Sequence, residues 1–229
     1  MRASQAADTW VWRSSRGAVR VLFTGRGPAG SREDVLRRVE PAAPPMAWAR
    51  QIHSARVLAA EAAGEQGEGD ALVTGRAGLA LCVVTADCVP VLLAGPRGLA
   101  AVHAGWRGIA GGAVFAALEQ AQGPLREWTA WIGPAIGPCC YEVGDEVADQ
   151  IAAASDPSVV RSRPAGRPHL DLQAAVRRQL TAAGVGKVSA LALCTRCEDV
   201  RLWSYRREGK RAGRNLAVIW REAWRSARG

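Results

Sequence analysis

Lysine and histidine are scarce in this chain, and long apolar runs are missing. Among 30 Lys and Arg residues in 229, only Lys187 and Lys210 are lysines, so arginine carries nearly all of the net charge of +9. No apolar stretch reaches the roughly 18 residues that a membrane helix needs, so no membrane partner is expected. The opening Met1-Arg2-Ala3-Ser4-Gln5 has no apolar h-region, and no signal peptide is expected. The 6 cysteines follow no disulfide-framework spacing, which points to a reducing, cytoplasmic setting. The arginines form no long run and no nucleic-acid motif accompanies them, so nucleic acid is not an expected partner. A basic protein still attracts smaller anions such as phosphates and nucleotides. With 3 histidines in all, sites built from many imidazoles are excluded.

Apolar residues make up 48% of the chain, enough for one buried core. The pattern mixes strands and helices without strict βαβ alternation, which predicts a single α+β domain over 1–229, with 1–17 only partly ordered. Alternation predicts a strand over 18–25 and a turn at Gly25–Gly30. Ser31 reads as the N-cap of a helix running to Arg38. Pro41–Pro45 is a loop, 46–60 is extended around His53, and Gly64–Gly69 is a loop. Asp70–Thr74 and Leu79–Leu93 read as buried strands, the second broken near Asp87-Cys88. Leu99–Val102 is a strand that delivers His103. Helices are expected at Ile109–Gln120, Val143–Ala154 and Leu172–Ala183, strands at Trp128–Ile132, Val188–Cys194 and Leu216–Trp220. Gly133–Cys140 is punctuated too heavily for regular structure, and Asp156–Pro168 reads as a surface loop.

Two of the three histidines fall in distinctive segments. These are Gln51-Ile52-His53, Thr85-Ala86-Asp87-Cys88-Val89-Pro90 and Val102-His103-Ala104-Gly105-Trp106-Arg107-Gly108. Two imidazoles and a thiolate can hold one transition metal and leave a coordination position open, as catalytic sites do. The donors suit zinc or copper. The plain alternative for Cys88 is a small buried hydrophobe. Cys194-Thr195-Arg196-Cys197 is a C-x-x-C, but one pair cannot complete a structural zinc site. Cys139-Cys140, adjacent in sequence, adds little, so these four read as ordinary residues. His169, in Arg167-Pro168-His169, reads as a surface residue. A zinc nucleobase deaminase would carry H-x-E and P-C-x-x-C. Here Ser54-Ala55 follows His53, Ala104-Gly105 follows His103, and Leu193 precedes Cys194. The glycines at 105, 108, 111 and 112 match neither a dinucleotide fingerprint nor a P-loop.

Together these segments resemble the laccase-domain, YfiH-like family of metal-dependent purine nucleoside phosphorylases, also called multicopper polyphenol oxidases or peptidoglycan editing factors. Further carriers are Asp70-Ala71-Leu72-Val73-Thr74, the run Ile132 to Val143, Asp171-Leu172, Cys194-Thr195, Ser204-Tyr205-Arg206-Arg207 and Gly213-Arg214. The resemblance implies a fold of mixed β-sheets packed as a sandwich and flanked by helices. It implies His53, Cys88 and His103 as zinc ligands, with copper the lesser candidate. It implies phosphorolysis of adenosine, inosine and methylthioadenosine, with some adenosine deamination. Partners would be the nucleoside and phosphate, and a homodimer is the assembly to look for. Arg26, Arg107, Arg206 and Arg214 are the candidates to neutralise phosphate. Asp87, beside Cys88, is the carboxylate placed for proton transfer or for orienting the ligands. Phe23-Thr24-Gly25-Arg26 keeps the family's arginine, but the loop after it is much shortened.

Overall fold

The computed structural model describes residues 1–162 and 166–223. Fifteen strands form two large sheets and one small pair. The strands are β1 (Arg2–Ala6), β2 (Thr9–Arg16), β3 (Val19–Thr24), β4 (Met46–Arg50), β5 (Val57–Ala59), β6 (Gly64–Glu68), β7 (Ala71–Thr74) and β8 (Ala80–Thr85). They continue as β9 (Val89–Ala94), β10 (Leu99–Ala104), β11 (Thr129–Ile132), β12 (Val160–Arg161), β13 (His169–Leu170), β14 (Lys187–Ala190) and β15 (Asn215–Arg221). The seven-stranded sheet runs β1-β2-β3-β15-β8-β4-β6, and the six-stranded sheet runs β14-β11-β9-β10-β7-β5. Six helices are α1 (Arg32–Val39), α2 (Trp106–Ala110), α3 (Ala113–Glu119), α4 (Asp145–Ala154), α5 (Leu172–Ala182) and α6 (Tyr205–Glu208).

The sheets face one another, and period-two alternation along each strand separates the layers. On β8, Leu81 and Val83 turn inward with Leu92 of β9, Ala101 of β10 and Phe23 of β3. Ala80 and Cys82 turn outward, where Leu36 and Val39 of α1 cover them together with Val218 and Trp220. Helices α2 to α5 cover the far face of the six-stranded sheet, over Val91, Leu93, Val102 and Ile132. The expected helix-flanked sandwich of mixed sheets is therefore the fold.

Strands β4, β6 and β8 are parallel neighbours in one sheet. From each of them the chain crosses to the opposite sheet at the same rim, into β5, β7 and β9. Residues 51–56, 69–70 and 86–88 make the three crossings, and they carry His53, Asp70 and Cys88.

Several expectations are corrected. Residues 1–17 form the β1–β2 hairpin, because β2 finds a full partner in β3. Gly64–Glu68 is a strand, its backbone satisfied by pairing with β4, and not a loop. The helix expected over Ile109–Gln120 is two helices. Gly112 stands between them at φ +79, a left-handed conformation that costs glycine nothing. The last strand before Cys194 stops at Ala190, where pairing with β11 ends. Asp156–Pro168 contains a 3₁₀ turn at Pro157–Val159 and part of the β12–β13 pair; residues 163–165 lie outside the described chain.

Candidate metal centre and cleft

At the crossover rim, His53, Cys88 and His103 bring their donor atoms within 4.8 Å of one another. The two imidazoles meet edge to face, with centroids 4.8 Å apart at 84°. His103 shares the parity of Leu99 and Ala101 on β10, so it lies at the open end of the space between the sheets. His53 is held at φ +59, outside the usual range for a side-chain-bearing residue.

Asp70 supports that conformation. Its buried carboxylate accepts the backbone N–H groups of Ile52 (3.2 Å), His53 (3.0 Å) and Ser54 (2.6 Å), and the Ser54 hydroxyl (2.8 Å). It also accepts Nδ1–H of His103 at 2.8 Å. One carboxylate thus shapes the turn of one imidazole and orients the other, leaving Nε2 of His103 as its remaining donor. This is the carboxylate–histidine arrangement that accompanies metal ligands.

The electrostatics favour a ligand set. Burial pushes the Cys88 thiol up, but hydrogen bonds from His103 and His53 outweigh it and bring its pKa down to about 6. Burial opposes protonation of His103, yet Asp70 and the Cys88 sulfur raise it to about 9. Burial likewise works against ionised Asp70, but His103 and Ser54 hold its carboxyl far below the usual range. Cys88 is therefore an ionised sulfur, and the residues fit a thiophilic divalent ion. A side chain at Gly105 would lie 3.1 Å from Cys88 Sγ and 3.2 Å from His53 Cδ2, so only glycine leaves the donors their space.

The trio lies in a cleft of about 560 Å³. Arg206 and Arg214 line it, as does Asp87. Asp87 is held at φ +98, and its carboxylate accepts Thr195 Oγ1–H (2.5 Å) and the Arg206 N–H (2.6 Å). It thereby anchors two loops of the wall. Arg26 and Arg107 are not among the lining residues. Arg26 pairs with Glu208 and stacks 4.0 Å over Trp203; Arg107 is exposed and stacks 4.4 Å over Trp106. The structure thus does not bring Arg26 and Arg107 to the cleft lining with Arg206 and Arg214.

Sequence reasoning assigned no role to Asp70, Gln51, Arg32, Tyr141 or Tyr205. Gln51 bonds both the N–H and C=O of Val84, taking the place of a strand partner. Arg32 lines the cleft and has a buried Nη1 without a hydrogen-bond partner. Burial raises the Tyr141 hydroxyl to about 12, with Cys88 adding to the shift, so it remains a donor. The signals existed: Asp70, Tyr141 and Tyr205 stand in motif segments. Their direction into the site is a tertiary fact.

His169, expected at the surface, is buried, and its Nδ1–H donates to Pro138 O at 2.8 Å. The four cysteines set aside as ordinary converge: Cys139, Cys140, Cys194 and Cys197 lie within 4.8 Å of one another. Cys82, in the core, is inert, its thiol pushed up to about 12 by burial.

A family model described as multi-copper polyphenol oxidoreductase laccase matches residues 29–222. The chain belongs to this family. A purine nucleoside phosphorylase of Pseudomonas aeruginosa is 37% identical over 178 residues, covering 76% of this chain and 73% of that protein. A protein from an unknown prokaryotic organism, named an adenosine deaminase, is 41% identical over 163 residues, covering 67% of this chain and 62% of that protein. A crystal structure of a Neisseria meningitidis protein of the DUF152 family superposes with TM-score 0.84 at 31% identity, covering 93% of this chain and 99% of that one. Among the described residues, no helix is long and apolar enough to cross a membrane.

Proposed function

We propose that this chain is a zinc-dependent purine nucleoside phosphorylase. It would convert adenosine, inosine and S-methyl-5'-thioadenosine, with phosphate, to the free base and the ribose 1-phosphate or its methylthio analogue. The observation that carries the reading is the open His53–Cys88–His103 set at the floor of a cleft whose wall also holds arginines. The names of the relatives support the substrate class.

In phosphorolysis a phosphate oxygen bonds to the anomeric carbon while the bond from that carbon to purine N9 breaks. The bonding electrons pass to the base, which gains a proton. A bound zinc ion would supply fixed positive charge at the cleft floor. Cys88 then serves as a ligand and not as a nucleophile. Arg206 and Arg214, with Arg32, hold the phosphate in place and offset its charge. The aromatic faces of Tyr141 and Tyr205 hold the purine, and the Tyr141 hydroxyl, protonated at neutral pH, donates to the base. Asp87 positions the wall through Thr195 and Arg206.

A second reading, adenosine deamination, is favoured by the name of the adenosine deaminase relative. Copper phenol oxidation fits less well. The chain has 3 histidines, and one of them, His169, is committed to Pro138. Multicopper sites need more imidazoles than the two that remain.

The test is product analysis with adenosine, with and without phosphate, for wild type and His103→Ala. Adenine released only with phosphate, and lost in the variant, is the expected result. Inosine formed without phosphate indicates deamination, and equal activity in both proteins overturns the metal reading.

A further inference from the structure

The cysteine cluster stands apart from the cleft trio and nothing in the proposed reaction uses it. Cys139 and Cys140 lie on the turn after β11, Cys194 and Cys197 on the turn after β14. Sγ of Cys197 is 3.6 Å from that of Cys139 and 3.4 Å from that of Cys140, and all four sulfurs lie within 4.8 Å of one another. All four are free thiols. A zinc ion with Zn–S bonds of about 2.3 Å places tetrahedral sulfurs roughly 3.8 Å apart, within the range that the cluster spans.

Both turns are shaped for ligation. The N–H groups of Cys140 and Tyr141 close on Gly137 O at 2.9 and 3.0 Å. Those of Cys197 and Glu198 close on Cys194 O at 3.1 and 3.0 Å. Each turn thus presents two sulfurs on one side. The Gly137 N–H donates to Cys194 Sγ at 3.2 Å, a bond that stabilises a sulfur anion. A Cβ at Gly137 would lie 3.2 Å from Cys194 Cβ and 3.4 Å from Cys139 Sγ, so glycine gives this approach its room. The surroundings hold the turns independently of any ion. His169 fixes Pro138 O, and Arg207 donates to Thr195 O and Arg196 O at 2.8 Å each.

We propose that Cys139, Cys140, Cys194 and Cys197 form a second metal site, a closed four-thiolate zinc site with a structural role. Loading sends the thiol protons to solvent. The site has no open position, so it does no chemistry of its own. It ties the 133–141 segment to the 193–198 turn. The first of these gives Ile136 and Tyr141 to the cleft wall, and the second gives Thr195 to Asp87. The inference does not depend on the proposed activity, because its readout is metal and not turnover.

The experiment is elemental analysis of protein produced with zinc and purified without chelator. Two zinc ions per chain are expected for wild type. One is expected for Cys139→Ser/Cys197→Ser, and one for His53→Ala/His103→Ala. X-ray absorption of the histidine double variant should then show sulfur alone around zinc. Should the cysteine double variant fail to fold, cobalt-loaded wild type serves instead, with thiolate charge-transfer intensity expected for five cobalt–sulfur bonds per chain, not one. One zinc in wild type, lost on changing the histidines, overturns the proposal. So does a disulfide among the four, seen as a two-dalton mass gain on reduction. Two zinc ions that both survive removal of the cysteines overturn it as well. Failure of the cleft reading alone would leave the count in the cysteine site unchanged.

Discussion

Asp70 does more at this site than its place in a motif suggests. One buried carboxylate accepts five hydrogen bonds and joins the two histidine segments. Asp70→Asn keeps the shape but replaces a charged acceptor by a neutral one. Metal affinity should fall by roughly 10–100-fold, the usual cost of losing a partner behind a ligand; a competition titration against a chromophoric chelator measures it. The acid–base balance gives a second expectation. In the metal-free protein, His103 titrates near 9 and Cys88 near 6. At about pH 7.5 the sulfur is already ionised and the imidazole still carries its proton, so loading the cleft trio, with the four-cysteine site already filled, should release about one proton per ion. Affinity should rise about tenfold per pH unit between these values, more steeply below the lower, and level off above the higher. Calorimetry in two buffers of different ionisation enthalpy counts the proton, and no difference between the buffers would contradict the assignment. Gly105→Ala tests the space itself. Its Cβ would displace Cys88 Sγ or His53 by a few tenths of an ångström, and zinc should bind more weakly with the thermal midpoint little changed.

At the scale of elements, the crossings between sheets carry the site, and they were only partly legible in the sequence. The break at Asp87-Cys88 shows in the pattern because two apolar runs flank polar residues. That β8 and β9 belong to different sheets does not show, since pairing partners are non-local. His53, Cys88 and His103 were legible because histidine is scarce and each stands beside turn-forming residues. Of the four arginines named from the sequence, Arg206 and Arg214 line the cleft and Arg26 and Arg107 do not. A long side chain selects among partners supplied by remote segments, and Arg26 lies against Trp203 and Glu208 from the far end of the chain. The four cysteines escaped for the same reason: an adjacent pair and a C-x-x-C, more than fifty residues apart, meet only through the parallel pairing of β11 with β14. The Thr195–Asp87 bond tests the coupling of these elements. Thr195→Val keeps the volume and removes the donor, at about 1.5–3 kcal/mol for a bond to a charged group. kcat/KM for nucleoside cleavage should drop by roughly tenfold or more while zinc content stays at the wild-type value. An unchanged kcat/KM would show that Asp87 does not need this anchor.

Across the whole molecule, stability lies in the layer between the sheets. Phe23 is 1% exposed there, and a side chain at Gly133 would lie 2.4 Å from its ring. Phe23→Ala should cost about 3–5 kcal/mol, lowering the midpoint by roughly 10 °C as followed by circular dichroism. The six-stranded sheet presents one face to this layer and the other to α2–α5. Its strands therefore read as unbroken apolar runs, and the class of fold was legible from them. The rim has a further consequence. Two of the three donors stand on chain crossing from one sheet to the other, and the third stands at the end of β10 in the second sheet. An ion held by them is a clasp across the mouth of the sandwich. In amide exchange, chelation should loosen the corners at 51–56 and 86–88 first and leave the β2–β3 edge protected. A sandwich that opens from one end in this way would release its metal before it lost its fold.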